Sequence, residues 1–416
     1  MTLYGDGRAA LRDDRSTAER LGWGQRRRSL ADPEIVLVSR EGDPRREAWI
    51  APPWCDPAGG VAALHRSVRR GGTWRYLAGV SGIDRYLGAL ARPPRRDGAR
   101  VGIVGLGRVG GIAATVLAAT PAARSGIAEL LVHDVDAANL ERWLHELGAI
   151  ACWRSAEQLP RVRPTSLGQV FNECDVFIFA ATAGVPPLGS HGDVRMVQLA
   201  PNRSILRGCL EQARVAAFAG QFVVVADPVD WLAQAAFIDS NVDPAGRFVG
   251  TGLAPERIGG LGLGVMWGRA LALARREGWD EVVTRHGAAF GPHSTEVVVF
   301  DDVRRPSPVR SDGLTRAARE GNMVVRHLGF LPFVGPGVSS VALALPALLA
   351  GGEALASVFV DRVYLGCPAR LDGGFHPSPR RMDAGVVATL TRLHARLLQQ
   401  ARSLGLAVPL HDPGPA

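Results

Sequence analysis

The sequence predicts an α/β chain: a doubly wound parallel sheet over residues 98–250, an α+β domain over 251–416, and a small extension at 1–97. Three observations carry that expectation. From Arg100 onward short apolar runs alternate with Ala-rich stretches of helical period, the pattern of strand-helix-strand units in a parallel sheet. A Gly-rich turn joins the first such run to the first helix. Beyond residue 250 the alternation gives way to a helix, strands of antiparallel character and a long amphipathic C-terminal helix.

The elements follow in order. The extension is rich in Arg and Gly, with strand-like runs at 34–38 and 46–50 and a helical stretch over 60–91. ARPPRRDGAR (91–100) reads as a linker, because prolines and like charges sustain neither period. VGIVGLG (101–107) is a buried strand entering a turn, 112–119 a helix and AELLVHD (128–134) a second strand. DVFIFAATAG (175–184) and QFVVVADPVDWL (221–232) read as further strands, separated by a helix containing Ser204 to Ala217. A helix over Val265 to Glu277, strands in 295–303 and 358–371, and a helix from Asp383 to Arg402 complete the chain.

Composition narrows the function. The 416 residues are 47% hydrophobic and 21% charged, the balance of a globular protein. No lysine is present, so all 48 basic side chains are arginine; a Schiff-base lysine and a Walker-type phosphate loop are excluded. Residues 1–100 hold 19 Arg against 12 acids, +7 of the total +8. The rest is nearly neutral, and no arginine is interleaved with aromatics on a nucleic-acid-binding module, so no nucleic-acid partner is expected. With no apolar run of membrane-spanning length and no apolar signal core at the N-terminus, a cytoplasmic protein without membrane contact is expected. Cys55, Cys152, Cys174, Cys209 and Cys367 form no metal-ligand spacing, so they are expected to be buried thiols and no metal is expected.

The turn G-L-G-R-V-G places Gly105, Gly107 and Gly110 after a strand and at the head of a helix, with Arg108 and Val109 between them. This is the context of a Rossmann dinucleotide fingerprint: one glycine for the tight turn, one for close approach of pyrophosphate, one for helix-strand packing. Asp134, at the end of the next strand, is placed to accept from both adenosine ribose hydroxyls and to repel a 2′-phosphate. NAD is therefore the expected cofactor.

From residue 100 to the C-terminus, five further segments resemble the lactate/malate dehydrogenase family in order: AATAGVP (180–186), VVVADPVDWL (223–232), GRFVGTG (246–252), FGPHSTEVVVF (290–300) and YLGCPARLDGGF (364–375). The resemblance implies hydride transfer between NAD and C2 of a 2-hydroxy or 2-oxo acid, with Ala183 and Gly184 on the cofactor side. It implies that His293 shuttles the proton, that Arg269 clamps the substrate carboxylate, and that Arg195 closes over the site seven residues before Asn202, itself a substrate-side residue. A carboxylate demands a planar fork of donors, and a departing hydroxyl proton a base of near-neutral pKa. Leu331, following Gly329 and Phe330 on an expected late helix, corresponds to a position lining the family's side-chain pocket; neighbouring Pro332 and Phe333 keep that wall apolar, which argues against a second substrate carboxylate.

Two departures bear on the chemistry. The aspartate that orients the family's histidine is here Met266, and the asparagine of its Asn-Pro-Val-Asp segment is here Asp227. A thioether cannot stabilise an imidazolium, so the His293 pKa is expected to be low. Asp227 then either replaces the lost acid or pairs with a cationic substrate group, as in an amino-acid dehydrogenase or imine reductase; a degenerate cofactor-binding or assembly subunit is the third reading. Glu256 is a further candidate carboxylate, expected rather as a solvated loop charge. The basic extension at 1–97 is expected to dock an acidic protein or peptide, and a homo-oligomer is implied by the resemblance.

Overall fold

The computed structural model describes residues 98–153, 158–187, 194–246, 252–360 and 362–408, apart from 372, 379 and 381, together with five short strands before residue 98. Among those strands, Glu34–Val38 and Thr73–Leu77 pair in parallel. The second lies inside the stretch expected to be helical: its TWRYL run is β-branched and aromatic, which suits a strand. The strand-like run at 46–50 lies outside the described residues.

Nine strands form one sheet. β1 (Ala99–Val104), β2 (Ile127–His133), β3 (Arg161–Pro164), β4 (Val176–Phe179), β5 (Gln221–Val224) and β6 (Ile258–Gly260) are parallel in the spatial order β3-β2-β1-β4-β5-β6. β7 (Glu353–Val360) joins β6 antiparallel through Gly260 opposite Ser357 and carries two more antiparallel strands, Val363–Leu371 and Phe375–Pro377. The two halves of the parallel sheet reverse between β1 and β4. Val101, Leu130 to Val132, Phe177, Phe179 and Phe222 to Val224 are fully buried, as strands covered on both faces must be.

The connecting helices are α1 (Arg108–Ala119), α2 (Ala137–Gly148), α3 (Leu199–Val215) and α4 (Val229–Ser240); α5 (Leu263–Arg276), α6 (Pro308–His327) and α7 (Ala384–Ser403) belong to the C-terminal part. Asp136, Ser307 and Asp383 cap three of them through backbone N–H groups. Several sequence expectations shift. The strand expected over 221–232 ends at Val224 and its second half is α4, because Pro228 cannot serve a strand ladder but is tolerated at a helix start. Ala99 and Arg100, read as linker, open β1. Most of GRFVGTG (247–251) lies outside the described residues, and β6 is the strand directly preceding α5. Cys174, Cys209 and Cys367 are buried, but Cys152 is exposed.

Packing explains two of the three glycines. Gly105 has φ +95°, and a Cβ there would lie 2.4 Å from the Ala181 nitrogen; a Cβ on Gly110 would lie 2.0 Å from the Gly105 carbonyl oxygen. At Gly107 a Cβ would meet nothing within 4 Å. Gly110→Ala is therefore expected to cost about 1–3 kcal/mol through forced separation of α1 from β1. Gly107→Ala is expected to stay within about 0.5 kcal/mol of the parent. Urea unfolding of the two variants checks the contrast.

Candidate functional site

The turns after β1, β4, β5 and β6 converge on a cleft of about 430 Å³, lined from the four turns by Gly107 to Val109, Ala180 and Thr182, Val225 to Asp227, and Leu261 and Gly262, and facing them by His293, Leu331 and Pro332. It opens at the carboxyl edge of the parallel strands, at the point where strand order reverses, the place where doubly wound sheets bind ligands.

One side of the cleft is the Gly-rich turn. Helix α1 is preceded by Gly107, which offers no side-chain cap, so its first backbone N–H groups are available to an anion in the open space above Gly107. Arg108 is exposed beside them and Val109 is half-buried. This cradle fits the pyrophosphate of a dinucleotide. The Asp134 carboxylate is already engaged: Leu106 N donates at 2.7 Å, Asp136 N at 2.9 Å and Asn139 Nδ2 at 3.1 Å. A carboxylate offers about four lone-pair sites, so one ribose hydroxyl is accommodated without displacing protein donors, not two as the sequence suggested. Trp143 Nε1 donates to Leu106 O at 2.6 Å and the ring packs over Gly111, tying α2 to the turn.

Asn202 is fully buried and clamps two of the turns. Its Nδ2 donates to the Asp227 carbonyl at 2.7 Å, while its Oδ1 accepts from Ala183 N at 2.8 Å and Thr182 Oγ1 at 3.1 Å. It is thus occupied in holding the segment of Ala183 and Gly184, both exposed, against the turn that presents Asp227.

The opposite side carries the ionisable groups. His293 is buried, and its Nε2 lies 3.7 Å from Asp227 Oδ1. That is an ion-pair distance, longer than a hydrogen bond. Burial pushes the His293 ring well below its ordinary pKa; the charges of Arg195 and Arg269 add to this, and the Gly262 backbone opposes it. Arg195 is buried at the start of a 3₁₀ turn, Met196–Gln198. Arg269, on α5, has its pKa pushed down to about 10 by burial and by Arg195, against the pull of Asp227. Its Nη1 donates to Met266 Sδ and to Ala318 O, both at 3.3 Å. The thioether that replaces the expected aspartate thus lies under the arginine and offers it only a weak acceptor. The structure brings His293, Asp227, Arg195 and Arg269 close enough for their charges to act on one another.

Two residues differ from their expected setting. Glu256 is buried in a 3₁₀ turn, not solvated, because Pro255–Arg257 is folded in against Gly374. Its charge acts on Tyr364, whose phenol burial already pushes well above the usual range; it is not among the groups acting on His293. Leu331 lines the cleft but lies beyond the end of α6, because Gly329 at φ +86° has already turned the chain.

Two contributors were missed. Asp230 sits in the first turn of α4, fully buried, and its Oδ2 accepts the His293 backbone N–H at 2.6 Å. Burial pushes its pKa up to about 6, the Ser357 hydroxyl and the His293 N–H oppose this, and the Asp227 charge adds to it. Ser340 Oγ accepts from Val265 N at 2.9 Å and donates to Gly262 O at 3.0 Å, fixing the head of α5 beside His293. The DPVD stretch could have pointed to Asp230, since an acid in a first helical turn is a recognisable signal; nothing local marks Ser340. Among the described residues no group of three or more His, Cys, Asp or Glu is arranged to hold a metal ion, and no helix is long and apolar enough to cross a membrane.

Solved structures of the same architecture include a minor L-lactate dehydrogenase of Enterococcus mundtii (TM-score 0.60, 18% identity), a malate dehydrogenase of Archaeoglobus fulgidus in complex with NADH (0.59, 16%), and a lactate dehydrogenase from a Medee basin deep-sea metagenome library (0.58, 17%). Each comparison covers 74% of this chain and 99% of the other. No family model and no curated protein matches the chain. The chain therefore has the lactate/malate dehydrogenase fold: a Rossmann sheet followed by a mixed α/β part.

A histidine kept neutral in the fold binds fewer protons than it does unfolded. Stability is therefore expected to fall as the pH drops below about 6.5. Over the range from about 4 to 6 Asp230 acts in the opposite sense, since its raised pKa makes the folded state bind more protons there. Urea midpoints measured from pH 8 to pH 5 are expected to decline less for His293→Gln than for the parent.

Proposed function

We propose that the chain is an NAD-dependent oxidoreductase acting at C2 of a 2-hydroxy or 2-oxo carboxylate, with residues 98–250 supplying most of the dinucleotide half and 251–416 most of the substrate half. The observation that carries this reading is the meeting of His293 and Asp227 at 3.7 Å in a cleft that also holds the uncapped Gly-rich turn. Gly107, Gly110 and the head of α1 would receive the pyrophosphate, and Asp134 one ribose hydroxyl. When bound, the dinucleotide accepts or supplies the hydride at C2.

The protein's own residues manage charge and the proton. Arg269 anchors the substrate carboxylate through its guanidinium fork. His293, neutral near pH 7, takes the C2 hydroxyl proton on Nε2 in the oxidative direction. Asp227 then faces the imidazolium and stabilises it from the cleft side, in place of a partner at Met266. Arg195 stabilises the oxygen at C2 as negative charge develops on it. In the reductive direction His293 must first be protonated, so the rate of 2-oxo acid reduction is expected to rise as pH falls below neutrality.

NADH is expected to bind with quenching of tryptophan fluorescence; absence of binding would overturn the reading. Arg269→Leu is expected to weaken a carboxylate substrate by about 2–5 kcal/mol, read as KM. Because the leucine also removes a half-buried cation with no carboxylate at ion-pair distance among the described residues, the same variant is expected to melt no lower than the parent.

A further inference from the structure

We infer that Trp143, on α2, is a positioning residue for the dinucleotide: its indole N–H holds the Leu106 carbonyl toward α2 and so turns the Gly107 N–H toward the pyrophosphate, an inference that rests on the dinucleotide reading above. Leu106 is the middle residue of the Gly-rich turn, and the peptide groups on both its sides are fastened. In the 105–106 peptide, Leu106 N donates to Asp134 Oδ2 at 2.7 Å. In the 106–107 peptide, Leu106 O accepts from Trp143 Nε1 at 2.6 Å and from Asn139 Nδ2 at 3.2 Å. A trans peptide points its C=O and N–H in opposite directions. A Leu106 carbonyl drawn to α2 therefore sends the Gly107 N–H to the other side, where Gly107 lines the cleft. The Gly107 carbonyl is committed as well, accepting from Gly111 N at 2.7 Å.

This orientation needs an anchor. Gly107 has φ −69°, but glycine adopts positive φ at little cost, so the 106–107 peptide is free to turn over unless something holds it. Turned over, it would present a carbonyl oxygen to the anion in place of an N–H. Leu106 is buried, and without the indole its carbonyl would keep only Asn139, whose Nδ2 is shared with Asp134 Oδ2 at 3.1 Å. Rotation toward the cleft would give that carbonyl water instead. The indole itself is held by packing. A Cβ on Gly111 would lie 2.0 Å from the ring, and the Arg142 guanidinium lies over it, 4.7 Å from the centroid. Trp143→Phe thus keeps an aromatic ring on Gly111 while removing the donor. The bond from Leu106 N to Asp134 belongs to the other peptide and is not broken by the turnover, so the ribose side of the turn keeps its shape.

The test uses the full chain and two probes: NADH, followed by calorimetry, and adenosine, which lacks the pyrophosphate, followed by ligand-observed NMR. Trp143→Phe is expected to raise the NADH Kd about fivefold or more and the adenosine Kd less than about twofold. Adenosine binding also reports that the variant is folded. In a Gly107→Ala background, where a Cβ opposes positive φ, the same Trp143→Phe change is expected to raise the NADH Kd less than about twofold. Equal NADH affinity of Trp143→Phe and the parent would overturn the inference and leave the dinucleotide reading standing. So would an equal loss of NADH and adenosine, the mark of a general loosening of α2, or a loss of NADH undiminished by Gly107→Ala. Failure of the parent to bind NADH would overturn both.

Discussion

The hydrogen bond from the His293 backbone to the Asp230 carboxylate, 2.6 Å long and fully buried, is the contact on which the site's geometry depends. It joins the first turn of a helix that follows the fifth parallel strand to a loop 63 residues later in the chain. Both partners are removed from water, so loss of either would leave the other's polar group stranded. Around this bond Gly262 gives the histidine room, since a Cβ there would lie 3.0 Å from the His293 ring. Ser340 then holds Gly262 in place. The position of His293 is thus set by main-chain bonds behind the residue.

That arrangement explains how the site tolerates Met266. With an acid at that position the ring would be oriented and its cation stabilised from behind. Here the thioether lies beneath Arg269, and the carboxylate nearest the ring is Asp227 on the cleft side at 3.7 Å. Met266 and Asp227 thus differ in what they offer the charged groups of the cleft: a weak sulfur acceptor beneath Arg269, and a carboxylate near the His293 ring. The consequence is a histidine held neutral by burial and by two nearby guanidiniums, with its proton affinity lowered.

How much of this was legible in the sequence varies with the range of the interaction. The Gly-rich turn, the parallel strands and α7 follow from local period and from residues whose backbone needs are specific, such as Gly105. His293, Arg269, Arg195 and Asp227 were found because a resemblance in order and spacing carried them. Asp230, Ser340 and the burial of Glu256 were not found, because each depends on which distant segment packs against it. The strand expected through residue 232 was overextended because an apolar run does not by itself distinguish a buried strand from the buried helix that follows it.

The sequence by itself determined the architecture of the sheet edge: apolar strands that must be covered on both faces, a glycine turn that only one conformation satisfies, and a run of uncharged residues at 328–338 that cannot bind an anion through side chains. Tertiary structure alone decided where the charges sit. Three of Asp134's acceptor sites are filled by Leu106, Asp136 and Asn139, Asn202 is occupied largely by backbone, and the half-buried Asp227 faces His293. The physical reason is that hydrogen bonds and ion pairs act over a few ångströms in space, whereas the hydrophobic period that fixes strands and helices is written along the chain.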